Sequence, residues 1–443
     1  MNTNRYFTSF GILWFGQTIS LIGSSMSGFA LAIWAWKATG QATAMVLAGI
    51  SGLIPSIIVG LVAGVLIDRW DRKQVMMISD LAAGFSSLMI LLLYTSGQLQ
   101  IGHLYLASVI AGAAGTFQYL AYSASVTLML PKDQYARASG LQSLSQYGSK
   151  IGAPIIAGIL IAIIGIGGIL LIDIFTFIFA VGTLFFIRVP NPTPTPKTEQ
   201  NRVTFFQEAA VGFRYIFARP GLLGLLLIIL AFSTAESLGY PLIMPMILAR
   251  TGNNQIILGT VQSVLGVGGV IGAVLLTIWG GPRRNVYGVL VGVALTGLLG
   301  DALMGIGQSL PVWLTAAIFL EVFVPVFYGS YQAIWQAKIE PEIQGRVFAA
   351  RDLMVNIAQP LSMLFTGLLS DKVLEPALMP NGSLTPIFGG LVGVGPGAGM
   401  GLLLLIAGML SASAGLVGFA FSSVREVEAH LPDQQPVAET IST

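Results

Sequence analysis

Along the chain, apolar runs of about twenty residues or more alternate with short polar turns. Runs of that length fit helices rising 1.5 Å per residue across a hydrocarbon layer ~30 Å thick. A membrane barrel would instead need strands of about ten residues with strict in-out alternation, and no such alternation runs through this sequence. The pattern predicts twelve spans, at 9–36, 43–67, 73–95, 101–130, 137–164, 168–187, 221–249, 256–280, 285–307, 311–337, 345–370 and 397–421. The one long polar connection, 188–220, opens with PNPTPTP, a stiff extended linker. It continues with FFQEAAVGFRYIF, an amphipathic stretch suited to the membrane surface. The fold class is therefore an all-α membrane protein: six helices over 1–187, a linker over 188–220, six helices over 221–424 and a tail over 425–443.

Composition excludes a soluble protein. Of 443 residues, 55% are hydrophobic and 9% charged, against roughly 25% charged in soluble domains. The first residues carry one basic group and no small-x-small cleavage pattern, which predicts an uncleaved first helix. There is no cysteine, and His103 and His430 are far apart in sequence, so neither a disulfide nor a metal site is expected. No GxxxxGK[ST] stretch provides an ATP-driven motor, and no nucleophile–base pairing suggests an enzyme. No cofactor and no nucleic-acid partner are expected.

Of the 21 Lys and Arg residues, only Lys37, Arg250 and Lys372 fall in the turns after spans one, seven and eleven. Nearly all the others fall at the opposite ends, including Lys132, Arg137, Arg283, Arg284, Lys338 and Arg346. The positive-inside rule then puts both termini and the linker in the cytoplasm, in a cell (inner) membrane. The halves echo one another: Pro131 and Arg137 lead into a helix with Pro154, and Pro341 and Arg346 into one with Pro360. Repeated halves of this kind are typical of secondary transporters.

GVLIDRWDRKQVMMISD, residues 64–80, concentrates five charges in the six residues DRWDRK. It resembles the loop between helices two and three of the major facilitator superfamily, matching at Gly64, Asp68, Arg69, Arg72 and Lys73, with Asp71 where the family usually has Gly. WFGQTISLIGSSMSGFALAIW and YQAIWQAKIEPEIQGRVFAARDLM look like the macrolide-efflux branch, related to bacterial siderophore exporters. The resemblance implies two six-helix bundles rocking about a central site, with Asp68 pairing to basic side chains as a cytoplasmic gate. GSKIGAPIIAGIL resembles the family's antiporter motif at Gly152, Pro154 and Gly158, with Ala153 and Ala157 replacing two glycines. Related exporters carry an Arg deep in helix four; Ala111 stands there in this chain.

Ionisable residues inside a membrane cost at least ~2.5 kcal/mol on insertion scales, so each is a functional candidate. Glu236 in span seven, Glu321 in span ten and Lys150 in helix five are expected near mid-depth, with Gly239, Pro241 and Pro245 breaking the helix after Glu236. These three are the coupling or substrate candidates, with a static polar contact as the bland alternative. Lys150, if buried, needs a carboxylate partner. Asp80, Asp173 and Asp301 are read as mainly structural. Gln17, Gln118, Tyr119, Tyr122, Tyr240, Tyr328, Tyr331 and Gln332 are expected to line a cavity, and ordinary packing explains such a stripe equally well.

The functional expectation is a secondary active exporter of amphipathic small molecules, macrolide-like drugs or a metabolite or siderophore, with protons as coupling ion. A lysophospholipid or nutrient permease of the same fold is the alternative, and a non-transporting scaffold or sensor a third. The lipid bilayer and a small amphipathic substrate are the expected partners, and the resemblance implies a monomer.

Overall fold

The computed structural model describes residues 3–67, 70–130, 135–187 and 205–430. Those residues are almost wholly helical, with no strand among them. Asp68 and Arg69 of the charged loop and the Pro/Thr stretch of the linker lie outside the described residues.

The helices are α1 (Thr3–Thr39), α2 (Ala42–Ile67), α3 (Arg72–Thr95), α4 (Ile101–Met129), α5 (Tyr135–Phe186), α6 (Phe205–Phe217), α7 (Pro220–Gly239), α8 (Ile243–Arg250), α9 (Gln255–Trp279) and α10 (Asn285–Leu295). They continue with α11 (Leu303–Ile306), α12 (Leu310–Val322), α13 (Val324–Lys338), α14 (Pro341–Leu369), α15 (Glu375–Ala377), α16 (Thr385–Val392), α17 (Ala398–Ala420), α18 (Ser422–Arg425) and α19 (Val427–His430). Among the described residues eleven stretches are long and apolar enough to cross a membrane, where twelve spans were read from the sequence. The reason is α5. Its apolar stretch Leu144–Phe186 runs for 43 residues and is broken at Gly165, whose φ of 70° and ψ of −179° are not helical. At 1.5 Å per residue it is about 65 Å long, twice the hydrocarbon thickness. It therefore supplies two of twelve crossings, turning at a glycine because a side chain there would strain the backbone.

Two compact units divide the chain: 1–196 with 247–266, and 197–246 with 267–443. In the first, hydroxyl contacts join α1 to α5. Thr18 Oγ1 lies 2.6 Å from Ser145 Oγ, Ser149 Oγ 2.7 Å from Ser25 Oγ, and Trp14 Nε1 donates to the Leu141 carbonyl at 2.9 Å. Inside a membrane apolar packing discriminates poorly, so small residues and such interhelical hydrogen bonds set which helices pair. On the same helix as these serines, α5 also receives α9. Ser263 Oγ donates to the Ile151 carbonyl at 2.6 Å, and a Cβ added at Gly259 would sit 2.6 Å from the Pro154 carbonyl oxygen.

In the second unit Phe232, Phe327, Tyr331 and Trp335 form an aromatic core on α7 and α13. The amphipathic α6 docks on α14: a Cβ at Gly212 would come within 2.8 Å of the Ala350 Cβ, and Ile216 is fully buried. Glu428 of α19 accepts from the Asn285 and Val286 backbone N–H groups at 3.1 and 3.0 Å, satisfying the exposed start of α10. At the other end of this bundle the Glu375 carboxylate accepts from the backbone N–H groups of Gly397, Gly399 and Met400, capping α17. Replacing Glu375 with Ala is expected to cost about 1–2 kcal/mol, since three donors lose their acceptor at a positive helix end. Thermal unfolding in detergent reads this as a lowered midpoint; an unchanged midpoint removes the cap from the account.

Candidate functional site

The first unit holds a half-open cavity of about 620 Å³ walled by α1 to α5. Gln17, Gln118, Tyr119 and Tyr122, expected from the sequence to line a cavity, all face it. So does Ala111, the position where related exporters carry Arg. Among the described residues the wall holds two carboxylates, Asp80 and Asp173, and no Lys, Arg or His.

A chain of amides holds Asp80. Gln118 Nε2 of α4 donates to Gln17 Oε1 of α1 at 2.6 Å, and Gln17 Nε2 donates to Asp80 Oδ2 of α3 at 3.0 Å. Hydroxyls hold Asp173, from the second half of α5: Ser87 Oγ donates to one oxygen at 2.8 Å and Ser24 Oγ to the other at 3.3 Å. The two aspartates are 4% and 1% exposed, so each depends on these neutral donors for the hydrogen bonds that water would otherwise supply. The sequence reading of both as mainly structural missed their place on the wall. The missed signal is spacing: Ser79, Asp80, Ala83, Ser86, Ser87 and Ile90 all line the cavity, recurring at three and four residues on one face of α3.

The charged loop is described in part. Asp71 caps α3, accepting from the Gln74 N–H at 3.1 Å, which accounts for an acidic residue where a Gly is usual. Arg72 Nη1 donates to the Ala124 carbonyl at 3.1 Å and Lys73 Nζ to the Ile187 carbonyl at 2.9 Å. Both cations thus bind carbonyls near the ends of neighbouring helices, where the helix dipole favours positive charge. Gly64 lies in the last turn of α2, which runs to Ile67.

Of the motif residues on α5, Pro154 and Gly158 face α9, where a Cβ at Gly158 would lie 3.0 Å from the Gln255 carbonyl oxygen; Gly152 has open space around it. Lys150 is exposed on α5 rather than buried, so the requirement for a buried carboxylate partner does not arise from its position.

In the second unit, Glu236 precedes a break: α7 ends at Gly239 and a 3₁₀ turn, Tyr240–Leu242, leads into α8. Glu321 also stands by one, since α12 ends at Val322 and α13 begins at Val324. Pro241 and Pro325 lack the N–H that would continue each ladder, and each helix reorganises there. Tyr240 lies within electrostatic reach of Glu321, Glu236 and Asp301 together. Asp301, read from the sequence as mainly structural, is fully buried in a π-helical segment at Thr296–Ala302, within electrostatic reach of Glu321. A Cβ at Gly300 would meet the Leu320 Cα at 2.6 Å, so the backbones carrying Asp301 and Glu321 are in contact.

Tyr331 and Gln332 belong to the second unit. They surround Arg351 of α14, a buried cation that the sequence reading passed over. Arg351 Nη1 donates to Gln332 Oε1 at 2.9 Å and Nε pairs with Asp352 Oδ1 at 2.8 Å. Its guanidinium carbon stands 4.7 Å from the Phe348 ring centroid and 5.3 Å from those of Tyr331 and Trp335. Tyr328 is 42% exposed on the same helix.

Known proteins share both fold and sequence with this chain. It is 25% identical over 381 residues to macrolide efflux protein A of Streptococcus pyogenes, covering 84% of this chain and 91% of that protein. It is 25% identical over 333 residues to the protein of the same name from Enterococcus faecalis, covering 72% and 99%. Among solved structures, an inward-facing bacterial homolog of the human lysosomal transporter Spinster superposes with a TM-score of 0.71 at 14% identity, over 98% of this chain and all of that one. The nucleoside transporter NupG gives 0.67 at 13% identity, over 94% and 100%. At such identities the likeness speaks for the fold alone. The family model described as Major Facilitator Superfamily matches residues 13–363. With most of the chain inside that match, the protein belongs to the Major Facilitator Superfamily and is a multi-pass membrane transporter.

Proposed function

We propose that this transporter exports amphipathic small molecules in exchange for protons, macrolide-like compounds among them, by alternating access. The observation that carries the reading is the cavity of about 620 Å³, whose wall mixes small apolar residues with amides, hydroxyls and two carboxylates. Pockets of roughly 300–1,000 Å³ that are mainly apolar with a few placed polar groups suit compounds of drug size. The relatives named for macrolide efflux support the direction and the kind of cargo. Glu236 and Glu321, each beside a helix break, are the proton carriers in this reading, because a carboxyl group shielded from water exchanges a proton at far lower cost than it exposes a bare charge. Asp68 and Arg69, with Arg72 and Lys73, form the cytoplasmic gate. Both termini are cytoplasmic, the membrane is the inner one, and the working unit is a monomer.

The test is accumulation of labelled macrolides, lipophilic cations and catecholate siderophores in a bacterial host stripped of its own efflux pumps. Expression is expected to lower accumulation of one class, and an uncoupler to abolish the difference. Unchanged accumulation of all three, with the protein verified in the membrane, overturns the reading.

A further inference from the structure

We propose that the π-helical segment Thr296–Ala302 holds a sodium ion, with the Asp301 carboxylate and the Thr296 and Ser411 hydroxyls among its ligands. The inference goes beyond the export reading and stands on the second unit alone. Asp301 carries the argument. It is fully buried, and among the described residues neither of its carboxylate oxygens accepts a hydrogen bond. Glu321, within its electrostatic reach, has a charge of the same sign. Asp173 is buried almost as deeply but accepts from the Ser87 and Ser24 hydroxyls. A carboxylate stripped of water, hydrogen bonds and counter-charge is among the most costly groups a fold can bury.

Two further polar groups share its situation. Thr296 and Ser411 are fully buried, with no partner among the described residues for either hydroxyl. Thr296 opens the π-helical segment and Asp301 follows five residues later, so an i→i+5 ladder sets both on one face. Ser411 reaches the same segment from α17, its Cβ lying 2.7 Å from where Gly297 would carry one. Gly300 closes on Leu320 of α12 at the next turn position. A proton on Asp301 would cover one oxygen and leave the hydroxyls as they are, and a water molecule would bridge the groups without offsetting the charge. A small hard cation takes oxygens from all three residues and offsets the carboxylate at once. One carboxylate with neutral hydroxyls matches a single positive charge. A divalent or transition metal would call for more ligating side chains, and no cluster of three His, Cys, Asp or Glu occurs among the described residues. The close approach of the backbones favours sodium over the larger potassium. Carbonyls released where a membrane helix leaves the α-helical ladder serve as sodium ligands in transporters, and the π-helical turn is such a departure. Bound there, the ion pins α10 to α12 beside the break between α12 and α13 at which Glu321 stands.

The experiment is binding of radioactive sodium to the purified full chain in detergent, paired with thermal unfolding in sodium, potassium or choline chloride at one ionic strength. Sodium is expected to bind at about one ion per chain. It is expected to raise the unfolding midpoint by about 2 °C or more over choline, as a ligand well above its dissociation constant does. Asp301→Asn is expected to abolish both effects, and Thr296→Val to weaken sodium binding about tenfold, the loss of one ligand of ordinary strength. The unaltered protein gives the first answer, so a variant that fails to fold cannot hide it. No saturable binding, a midpoint that potassium or choline raises as much as sodium, or sodium binding that survives Asp301→Asn overturns the proposal. Sodium binding in a protein whose expression leaves accumulation of every labelled compound unchanged would remove the export reading and leave this site in place.

Discussion

Replacing Gly112 with Val is expected to abolish accumulation of folded protein, whereas Gly115→Val, one turn further along α4, is expected to leave the fold intact. At Gly112 an added Cβ falls on the Gly52 carbonyl oxygen of α2 and lies 2.8 Å from its carbonyl carbon. The obstacle is backbone and has no rotamer to retreat into. The same crossing carries Ser56 Oγ donating to the Gly112 carbonyl at 2.9 Å, a bond that separation of the helices would break. Overpacking a well-fitted crossing costs ~3 kcal/mol or more when the chain itself must move, and helices in lipid have little else to hold them together than close contact of small residues. Gly115 has nothing within 4 Å of such a Cβ, because it faces the cavity. Size-exclusion profiles of detergent extracts separate the two cases: a lost monodisperse peak for Gly112→Val, a retained one for Gly115→Val. A normal profile for Gly112→Val would mean that α2 and α4 do not approach as closely as described. The retained Gly115 variant then serves a second purpose, since its isopropyl group occupies cavity volume and is expected to weaken binding of bulky compounds severalfold.

The all-helical membrane class was legible in the sequence because lipid imposes one dominant constraint, a continuous apolar run per crossing. At α5 the corner was legible as well: no polar residue marks it, but the glycines do, and the gap between the spans 137–164 and 168–187 contains the non-helical Gly165. The break after Glu236 was legible from Gly239, Pro241 and Pro245, whose backbone chemistry acts locally. The π-helical segment around Asp301 was not, because an extra residue in a turn is decided by the packing of Gly300 against Leu320 and leaves no residue signature. The cavity was legible in part. Large amides and tyrosines such as Gln17 and Tyr122 announce themselves, and Asp80 follows from the spacing along α3, but Asp173 gains its place from serines on other helices, Ser24 and Ser87, and partners distant in sequence cannot be read from spacing on one helix. Arg351 was hidden for the same reason. Near the charged start of α14 it reads as one more topology-setting cation, and the ring of Phe348, Tyr331 and Trp335 distinguishes it.

Glu236→Gln is expected to abolish proton-driven export while preserving exchange of labelled for unlabelled cargo across proteoliposomes. The two readouts separate coupling from binding and from folding. Gln keeps the size and hydrogen-bonding reach of the carboxyl group but cannot release a proton, so any step that requires deprotonation stops. Steps that merely carry cargo between the two faces with the site neutral continue. Glu236 lies four residues before Tyr240, where the helix gives way to a 3₁₀ turn, and Glu321 two residues before the junction at Phe323. A change of charge at either carboxyl therefore acts where the α-helical ladder is already interrupted and the backbone can respond without breaking further bonds. Tyr240, within reach of both and of Asp301, links the two breaks electrostatically inside the second unit. Loss of pH-gradient-driven accumulation by about tenfold or more, the effect of about 1.4 kcal/mol on a transport step, with exchange at close to the original rate, identifies Glu236 as the proton carrier. Loss of both activities in a protein that still elutes as a single species makes it part of the cargo path instead. Retention of both transfers the coupling role to Glu321 or Asp301, the acidic groups that share its surroundings.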